Sequence, residues 1–286
     1  MAAAERITDT VVYHGEGPCW SPTWGGLRFV DMLAGDVMTL SPAGELSRKH
    51  YGDVAAITRP RAGGGSIVAV ERGFALEDAD GTLTTLPELW GPEERVRMNE
   101  GGADPDGRFW AGSMAYGAVP GKGRLFRLDP DGTVEAVLHD VTVSNGLAWS
   151  PDGTLAYYND TATGRTDVFD YSREAGLTGR RPFAHVNDES GLNRPDGLTV
   201  DAEGGVWTGL FGGSAVRRYA PDGTLDAVVE VGARQVTACT FGGADLDELF
   251  ITTSREGIDD DDDPAAGSIF RFVPGVKGLP VLPFAG

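Results

Sequence analysis

A tight hairpin turn recurs along the chain, and this repeat constrains the fold more than any other feature of the sequence. Six segments have the form strand, tight turn, apolar run, and their turns lie about 40 to 50 residues apart. They begin at Ser21, Arg61, Asp104, Ser150, Asp201 and Gly242. A second set of turns, such as SPAGEL at 41–46 and DPDGTV at 129–134, falls between them. Two hairpins per repeat at this spacing are typical of a four-stranded propeller blade.

The repeat predicts an all-β fold, a six-bladed β-propeller with four antiparallel strands per blade around a central channel. One domain spanning residues 1–286 accounts for all the repeats. Composition agrees with this prediction, because the 42 Gly and 17 Pro residues are distributed as turn residues and do not form a linker. No sustained helical spacing of apolar residues interrupts the pattern.

The net charge of -19 argues against nucleic acid and anionic membrane surfaces as partners, because both would be repelled. The sequence has no apolar run long enough to span a membrane, and the N-terminal MAAAERITDT lacks the apolar stretch of a signal peptide. We therefore predict a cytoplasmic protein. Cys19 and Cys239 lie in apolar strands, which favours buried free thiols over a disulfide. Nothing in the sequence indicates an oligomeric state.

Four oxygen-bearing side chains occupy one phase of the repeat, each of them five residues before a turn. They are Glu16, Asn99, Asn145 and Asp196, which precede Ser21, Asp104, Ser150 and Asp201. The first strand of each propeller blade lines the channel, so side chains at one phase should converge on the axis. The equivalent positions of the other two repeats, near Ile57 or Thr58 and near Thr237, offer no strong ligand. The predicted site is therefore lopsided.

Two carboxylates and two carboxamides at one point would be costly to bury unless a divalent cation offset their charge. All four offer oxygen, which favours a hard cation such as calcium, magnesium or manganese over a structural zinc site. Calcium is the preferred cation, and zinc, magnesium and manganese are kept as alternatives. The competing interpretation is that each side chain bonds to its own backbone in a turn. Arg97 shares a strand face with Asn99 and could bind a polar or anionic substrate. Its alternative role is a surface salt bridge.

The other motifs of the sequence give weaker evidence for a functional site. No GxSxG elbow or Ser/His pair indicates a nucleophilic triad. The acidic run at 259–263 is more typical of a solvated loop than of a calcium site. Asn159 and Asp160 end a strong strand, where they form either a second layer behind the site or a plain turn.

Several stretches, taken in their order and spacing, resemble the SMP-30/gluconolactonase/luciferin-regenerating-enzyme family over nearly the whole chain. They are GEGPCW at 15–20, RMNEGGADPDGRFWAGSM at 97–114, SNGLAWSPDG at 144–153, RPDGLTVDAEGGVW at 194–207, TFGG at 240–243 and GVKGLPVLPFAG at 275–286. The resemblance implies a six-bladed propeller with one divalent metal held by Glu16, Asn145 and Asp196. It also implies a substrate subsite at Arg97 and Asn99, and hydrolysis of sugar lactones.

The chain departs from the family pattern after the GSM motif at 112–114. Sugar-lactone members usually have an acidic residue there, which contacts substrate hydroxyls. Here Tyr116 and Gly117 occupy that place. We therefore predict Tyr116 as a substrate contact, and a less hydroxylated or more apolar lactone is an alternative to a sugar lactone.

The sequence as a whole predicts a lactonase, a metal-dependent carboxylic ester hydrolase that acts on a small-molecule lactone. The cation would polarise the lactone carbonyl and acidify a water, and Asp196 would accept a proton as that water attacks. Whether Asp196 or a metal-bound hydroxide is the effective base is left open. Two alternatives are kept: a metal-dependent esterase or phosphotriesterase, and a non-enzymatic, calcium-binding regulatory propeller.

Overall fold

A computed structural model describes residues 2–187, 191–259 and 262–286. Asp260 and Asp261 of the acidic run lie outside these described residues. The structure is built from β-strands, numbered in chain order, and four short 3-10 helices: Pro22–Trp24, Met32–Ala34, Pro92–Glu94 and Thr161–Thr163. Within the described ranges, no helix has the length and apolar character needed to cross a membrane.

The first half of the chain forms three four-stranded antiparallel sheets, and a fourth follows. The first holds β3 (Gly15–Ser21), β4 (Gly26–Asp31), β5 (Asp36–Leu40) and β6 (Leu46–His50). The second holds β7 (Ala55–Pro60), β8 (Ser66–Val70), β9 (Gly73–Glu77) and β10 (Leu83–Thr85). The third holds β11 (Val96–Ala103), β12 (Phe109–Ala115), β13 (Gly123–Leu128) and β14 (Val134–Val141). The fourth holds β15 (Ser144–Trp149), β16 (Leu155–Asp160), β17 (Arg165–Ser172) and β18 (Gly176–His185).

The other strands form one nine-stranded sheet. Seven of them are β19 (Arg194–Val200), β20 (Val206–Phe211), β21 (Ala215–Tyr219), β22 (Leu225–Glu230), β23 (Gln235–Gly242), β24 (Glu248–Ser254) and β25 (Phe270–Phe272). The N-terminal strands complete it: β1 (Ala2–Ala3) pairs in parallel with β22, and β2 (Glu5–Arg6) pairs antiparallel with β25.

The prediction of six four-stranded blades is therefore wrong. The all-β propeller has four such blades, and the strands expected to form two more are joined in the nine-stranded sheet. The join is a backbone pairing between Phe211, at the end of β20, and Gln235, at the start of β23. The spacing of the turns indicates how many hairpins there are. It does not indicate whether neighbouring sheets are joined by backbone pairing, so the sequence pattern could not predict the nine-stranded sheet.

Six strands surround the channel, and we call them the inner strands: β3, β7, β11, β15, β19 and β23. Each contacts the next, and β23 contacts β3, so the ring is closed. The ends of these strands at which Glu16, Asn145 and Asp196 lie are called the site end, and the ends that lead into the turns are called the turn end. This arrangement brings residues that are distant in sequence to one axis.

Apolar side chains fill the space between the sheets. The largest cluster includes Phe74, Phe109 and Phe284, and Phe284 is only 2% exposed although it is close to the C-terminus. The backbone N–H of Phe284 donates to the Pro60 carbonyl at 2.8 Å. Residues 279–282, just before it, line a cavity of about 410 Å³ near the turn end of the channel. Cys19 and Cys239 line the same cavity as buried free thiols, as predicted.

Candidate metal centre

A β-bulge interrupts the inner strands at the phase that the sequence singled out. The pairing of β3 with β4 shifts between Glu16 and Cys19, and the pairing of β15 with β16 shifts between Ser144 and Leu147. The pairing of β19 with β20 shifts between Pro195 and Leu198. A bulge leaves residues out of the ladder and re-aims their side chains. Glu16, Asn145 and Asp196 therefore lie at bulges, where their side chains need not follow the alternation of a regular strand.

A glycine follows each of these three residues and indicates why the inner strands can approach so closely. At Gly146, an added Cβ would lie 2.4 Å from the backbone nitrogen of Leu198 on the neighbouring inner strand. Any larger residue would push β15 and β19 apart. The glycine therefore keeps Asn145 and Asp196 on adjacent strands at close range.

Four buried side-chain oxygens near the channel axis have no hydrogen-bond partner within the described residues. We call them the orphan oxygens: Glu16 Oε2, Glu100 Oε2, Asn145 Oδ1 and Asp196 Oδ1. Their residues are only 2% to 4% exposed. An acceptor buried without a donor costs about 1–3 kcal/mol, and more when it is charged. Such a group of acceptors is the arrangement expected of a cation-binding site.

The carboxylates of this group repel one another. Burial raises the pKa of Glu16 well above its usual value, and the charges of Asp196 and Glu100 raise it further. Burial, followed by the charge of Glu100, also raises the pKa of Asp196, although a hydrogen bond from Asn145 counteracts part of the rise. Because each carboxylate acts on the next, Glu16, Glu100 and Asp196 lie within electrostatic range of one another.

A second layer of hydrogen bonds holds the predicted ligands. Asn145 Nδ2 donates to Thr161 Oγ1 at 2.9 Å, and this hydroxyl donates to the Pro195 carbonyl at 2.8 Å. The Asn145 NH₂ group is thereby held by Thr161, and Asn145 Oδ1 is left without a hydrogen-bond partner within the described residues. Asn159 Nδ2 donates to the Asp196 carbonyl at 2.7 Å. Of the two roles considered for Asn159, the geometry favours the second layer.

Arg97 and Asn99 form one buried unit beside the centre. Arg97 Nη1 donates to Asn99 Oδ1 at 2.6 Å and to the Met98 carbonyl at 3.0 Å. Asn99 Nδ2 donates to the Ser144 carbonyl at 2.8 Å. Arg97 is 5% exposed, so the surface salt bridge considered from the sequence does not describe it. Asn99 is occupied in holding Arg97 and β15, whereas the other three members of its phase carry orphan oxygens.

Tyr116 lies nearer the surface and is 37% exposed. Its hydroxyl donates to Glu71 Oε1 at 2.7 Å. Burial and this hydrogen bond raise its pKa to about 12, and Arg97 is close enough to lower it in part. The structure therefore brings Tyr116 to the neighbourhood of Arg97, together with an acidic partner from another blade.

Glu100 and His14 belong to this region but were not identified from the sequence. Glu100 follows Asn99 directly, and strand alternation would place it on the opposite face. A bulge between Met98 and Gly101 removes that alternation. His14 Nε2 lies 3.8 Å from Glu16 Oε1, and burial followed by the charge of Arg97 lowers the pKa of His14 to about 3. A neutral histidine is therefore the neighbour of Glu16 at neutral pH.

The chemistry of Glu16, Asn145 and Asp196, which we call the ligand set, fits a hard divalent cation. All three offer oxygen, and two are negatively charged. No group of three or more His, Cys, Asp or Glu side chains is arranged to hold a metal in the described ranges. The ligand set differs from such a group because one member is an amide. Three protein ligands would leave coordination positions open to water and substrate.

Comparison with known proteins identifies the family of the chain. Residues 14–255 match the family described as the SMP-30/Gluconolactonase/LRE-like region. The chain belongs to this family. The resemblance predicted from the sequence is thus confirmed.

Relatives in the SMP-30/gluconolactonase family match the chain along nearly its full length. Regucalcin of Oryctolagus cuniculus is 33% identical over 285 residues, which is 95% of each chain. The 6-deoxy-6-sulfogluconolactonase of Pseudomonas putida is 36% identical over 277 residues, again 95% of each chain. A crystal structure of regucalcin from Agrobacterium tumefaciens, described as a calcium-binding protein, is 29% identical. It has a TM-score of 0.92 and covers 100% of this chain and 98% of its own.

Proposed function

We propose that the protein is a metal-dependent lactonase that opens the ring of a sugar lactone or a related small lactone. The observation that carries the proposal is the set of orphan oxygens on Glu16, Asn145 and Asp196, which three different strands bring to the channel axis. Relatives named for lactone hydrolysis and for calcium binding support both parts of the proposal. Calcium is the favoured cation, since every ligand is an oxygen.

Glu16, Asn145 and Asp196 would hold the cation. When bound, a divalent cation supplies Lewis acidity, which polarises a carbonyl oxygen and lowers the pKa of water. Asn145 adds an oxygen without adding a negative charge, so it reduces this Lewis acidity less than a third carboxylate would. The bonds from Asn145 to Thr161 and from Asn159 to the Asp196 backbone keep these side chains oriented before substrate arrives.

Asp196 is our candidate for the residue that accepts the proton of the attacking water. Its carboxylate lies at the channel axis among the orphan oxygens, and one of its two oxygens can hold the cation while the other accepts the proton. The attack forms a bond between the water oxygen and the lactone carbonyl carbon. The bond from that carbon to the ring oxygen then breaks, and the leaving oxygen takes up a proton.

Arg97, Asn99 and Tyr116 would orient the substrate. Arg97 is a buried cation whose donors suit a carbonyl or hydroxyl oxygen, and Asn99 fixes its position. Tyr116 and its partner Glu71 add a hydroxyl and a carboxylate near the surface. These groups can bond with the hydroxyls of a sugar ring, so a sugar lactone is the preferred substrate class.

The direct test is hydrolysis of a lactone panel by protein from which metal has been removed and then restored. The panel includes gluconolactone, 6-deoxy-6-sulfogluconolactone, an unsubstituted lactone, an aryl ester and a phosphotriester. We expect calcium to restore ring opening of the sugar lactones, measured by proton release with a pH indicator. Faster turnover of the ester or phosphotriester under calcium, zinc or manganese would replace the lactonase proposal by that alternative.

A second candidate, a calcium-binding protein without catalysis, is favoured by the regucalcin relatives and by the description of the Agrobacterium structure. Calorimetric titration separates the two candidates. Stoichiometric calcium binding combined with no turnover across the panel would support the second candidate. A cytoplasmic location and a single domain over residues 1–286 remain predictions from the sequence.

A further inference from the structure

Glu100 has the same unusual surroundings as the predicted metal ligands, although it lies outside their phase. Its side chain is buried, with only 4% of the residue exposed, and Oε2 is one of the orphan oxygens. A buried carboxylate normally has donors for both oxygens or a cation close by. The backbone N–H groups of Gly17 and Gly101 act on this carboxyl, but no described protein group donates to Oε2.

The bulge in β11 directs two consecutive residues towards different neighbours around the axis. Asn99 bonds to the Ser144 carbonyl at the start of β15, whereas Glu100 faces Arg59 of β7. Arg59 Nη2 lies 3.7 Å from Glu100 Oε1, and the same nitrogen donates to the Gly101 carbonyl at 3.1 Å. One oxygen of Glu100 thus faces a guanidinium, and the orphan oxygen remains available.

The charge of Glu100 acts on groups at the ligand set and on groups that line the cavity near the turn end. It is the largest charge acting on Asp196, and it also acts on Glu16. It acts as well on Cys19 and Cys239, which line the cavity near the turn end. The geometry agrees: Arg59, 3.7 Å from Glu100 Oε1, lines that cavity and reaches the carbonyl of Gly17, the residue after Glu16, at 3.5 Å.

The balance of formal charges at the centre gives a physical reason for a third carboxylate at Glu100. Glu16 and Asp196 balance one divalent cation, whereas the buried Arg97 beside the centre and the Arg59 guanidinium, 3.7 Å from Glu100 Oε1, add positive charge that would repel the cation. Glu100 offsets the charge of Arg59. It also adds an acceptor where three protein ligands leave room for water.

We propose that Glu100 is a positioning residue of the metal centre, whose orphan oxygen accepts a hydrogen bond from the hydrolytic water while its charge offsets Arg59. This inference rests on the proposed function. It differs from two simpler roles for Glu100, a direct metal ligand and a purely structural partner of Arg59. The three roles predict different changes in metal affinity and in the number of waters bound to the metal.

The test compares the unaltered protein with Glu100→Gln and Glu100→Asp, and uses Glu77→Gln as a matched control. Glu77 is a partly buried carboxylate on β9, the third strand of its sheet, and it accepts hydrogen bonds from Lys49 and Ser66 at 2.6 and 2.7 Å. Calorimetry gives the Kd and stoichiometry for Ca²⁺. Tb³⁺ luminescence lifetimes in H₂O and D₂O count the waters bound to the metal. Proton release gives kcat and KM for gluconolactone.

We expect Glu100→Gln to raise the Kd for Ca²⁺ about tenfold, with unchanged stoichiometry and an unchanged number of bound waters. Its kcat should fall at least about tenfold, with a smaller change in KM, because the water is oriented less well. Glu100→Asp keeps the charge, so its Kd should stay within about threefold of the unaltered value, whereas kcat should still fall. Glu77→Gln should change neither metal binding nor turnover.

Two outcomes would overturn the proposal. A gain of one bound water in Glu100→Gln would make Glu100 a direct ligand. An unchanged Kd and kcat, with only a lower melting temperature, would make it a structural partner of Arg59. If the unaltered protein binds Ca²⁺ but hydrolyses no lactone, the lactonase proposal fails, while Kd and water count still decide the placement of Glu100. If it binds none of Ca²⁺, Zn²⁺ and Mn²⁺, both proposals fail.

Discussion

Buried carboxylates at the two ends of the channel have opposite surroundings. At the turn end, Asp201 is 0% exposed and fully partnered. Its Oδ1 accepts the backbone N–H groups of Glu203 and Gly205, and its Oδ2 accepts Trp207 Nε1 and Arg218 Nε, all between 2.7 and 3.0 Å. The Asp201 carboxylate thus links the backbone of its turn to the side chains of two strands through hydrogen bonds. Its desolvation is offset entirely within the chain.

At the site end, Glu16 and Asp196 are buried to a similar extent, yet each carries an orphan oxygen. The two regions belong to the same repeat, and Asp196 lies only five residues before Asp201. Depth of burial therefore does not distinguish a structural carboxylate from a binding one. The number of hydrogen-bond donors around the carboxylate distinguishes the two kinds. A buried acceptor without a donor is costly unless a ligand supplies the interaction.

The largest effect expected from this contrast is the loss of activity in Asp196→Asn. The substitution removes a metal-binding charge and the proposed proton acceptor together, so turnover should fall on the order of 10³–10⁴-fold, or about 4–5.5 kcal/mol in the barrier. Proton release with gluconolactone measures this loss. Circular dichroism checks that the sheets are retained. Turnover within threefold of the unaltered protein would remove Asp196 from the proposed mechanism.

Asp201→Ala tests the other side of the comparison. It leaves the buried Trp207 indole and the Arg218 guanidinium without a shared acceptor, so the free energy of unfolding should fall by about 3 kcal/mol. Urea denaturation measures the change. Calcium affinity of the folded fraction should stay the same, because Asp201 faces the turn end. A loss below about 1 kcal/mol would contradict the structural role.

Calcium should stabilise the protein, and the stabilisation should grow with pH. At 100 times the Kd, a ligand that binds only the folded state adds about 2.7 kcal/mol. Burial raises the pKa of Glu16 and Asp196 well above their usual values and that of Glu100 to about 7. Without metal, the stability contributed by these protonated groups is complete below the ordinary carboxyl pKa and is lost as pH rises through the raised values.

Calcium competes with these protons, so its effect should be small near about pH 5 and larger near about pH 8. Thermal unfolding with calcium and with a chelator, at both pH values, measures the difference. Asp201→Asn is a suitable control, because no carboxylate of the ligand set changes. Equal stabilisation at the two pH values would argue that the carboxylates are already ionised without metal.

Tyr116→Phe should have the smallest effect. It removes a hydroxyl that is partly exposed and bonded to Glu71, so KM for gluconolactone should rise about threefold to fivefold, or about 0.7–1 kcal/mol. The Kd for Ca²⁺ should not change, since Tyr116 is outside the ligand set. An unsubstituted lactone serves as the control substrate, because it has no hydroxyls to lose a contact. An equal change for both substrates would place Tyr116 outside hydroxyl recognition.

The sequence predicted the all-β propeller and the common phase of Glu16, Asn145 and Asp196, because turn residues and strand spacing are local properties of the chain. It did not predict the role of Glu100, because strand alternation places consecutive residues on opposite faces and the bulge after Met98 changes that rule. A signal was present, since glycine follows Glu16, Glu100, Asn145 and Asp196 alike. Glycine after a polar residue in a strand is typical of a bulge or a close backbone approach.

By itself, the sequence determined where the turns fall and which oxygen-bearing residues share a phase, since both follow from residue type and local spacing. Only the tertiary structure decided how the sheets are joined, through the pairing of Phe211 with Gln235. It also decided which buried carboxylates lack donors. That difference depends on side chains from distant strands: Asp201 receives Trp207 and Arg218, whereas no such donor reaches Glu16 Oε2 or Asp196 Oδ1 within the described residues.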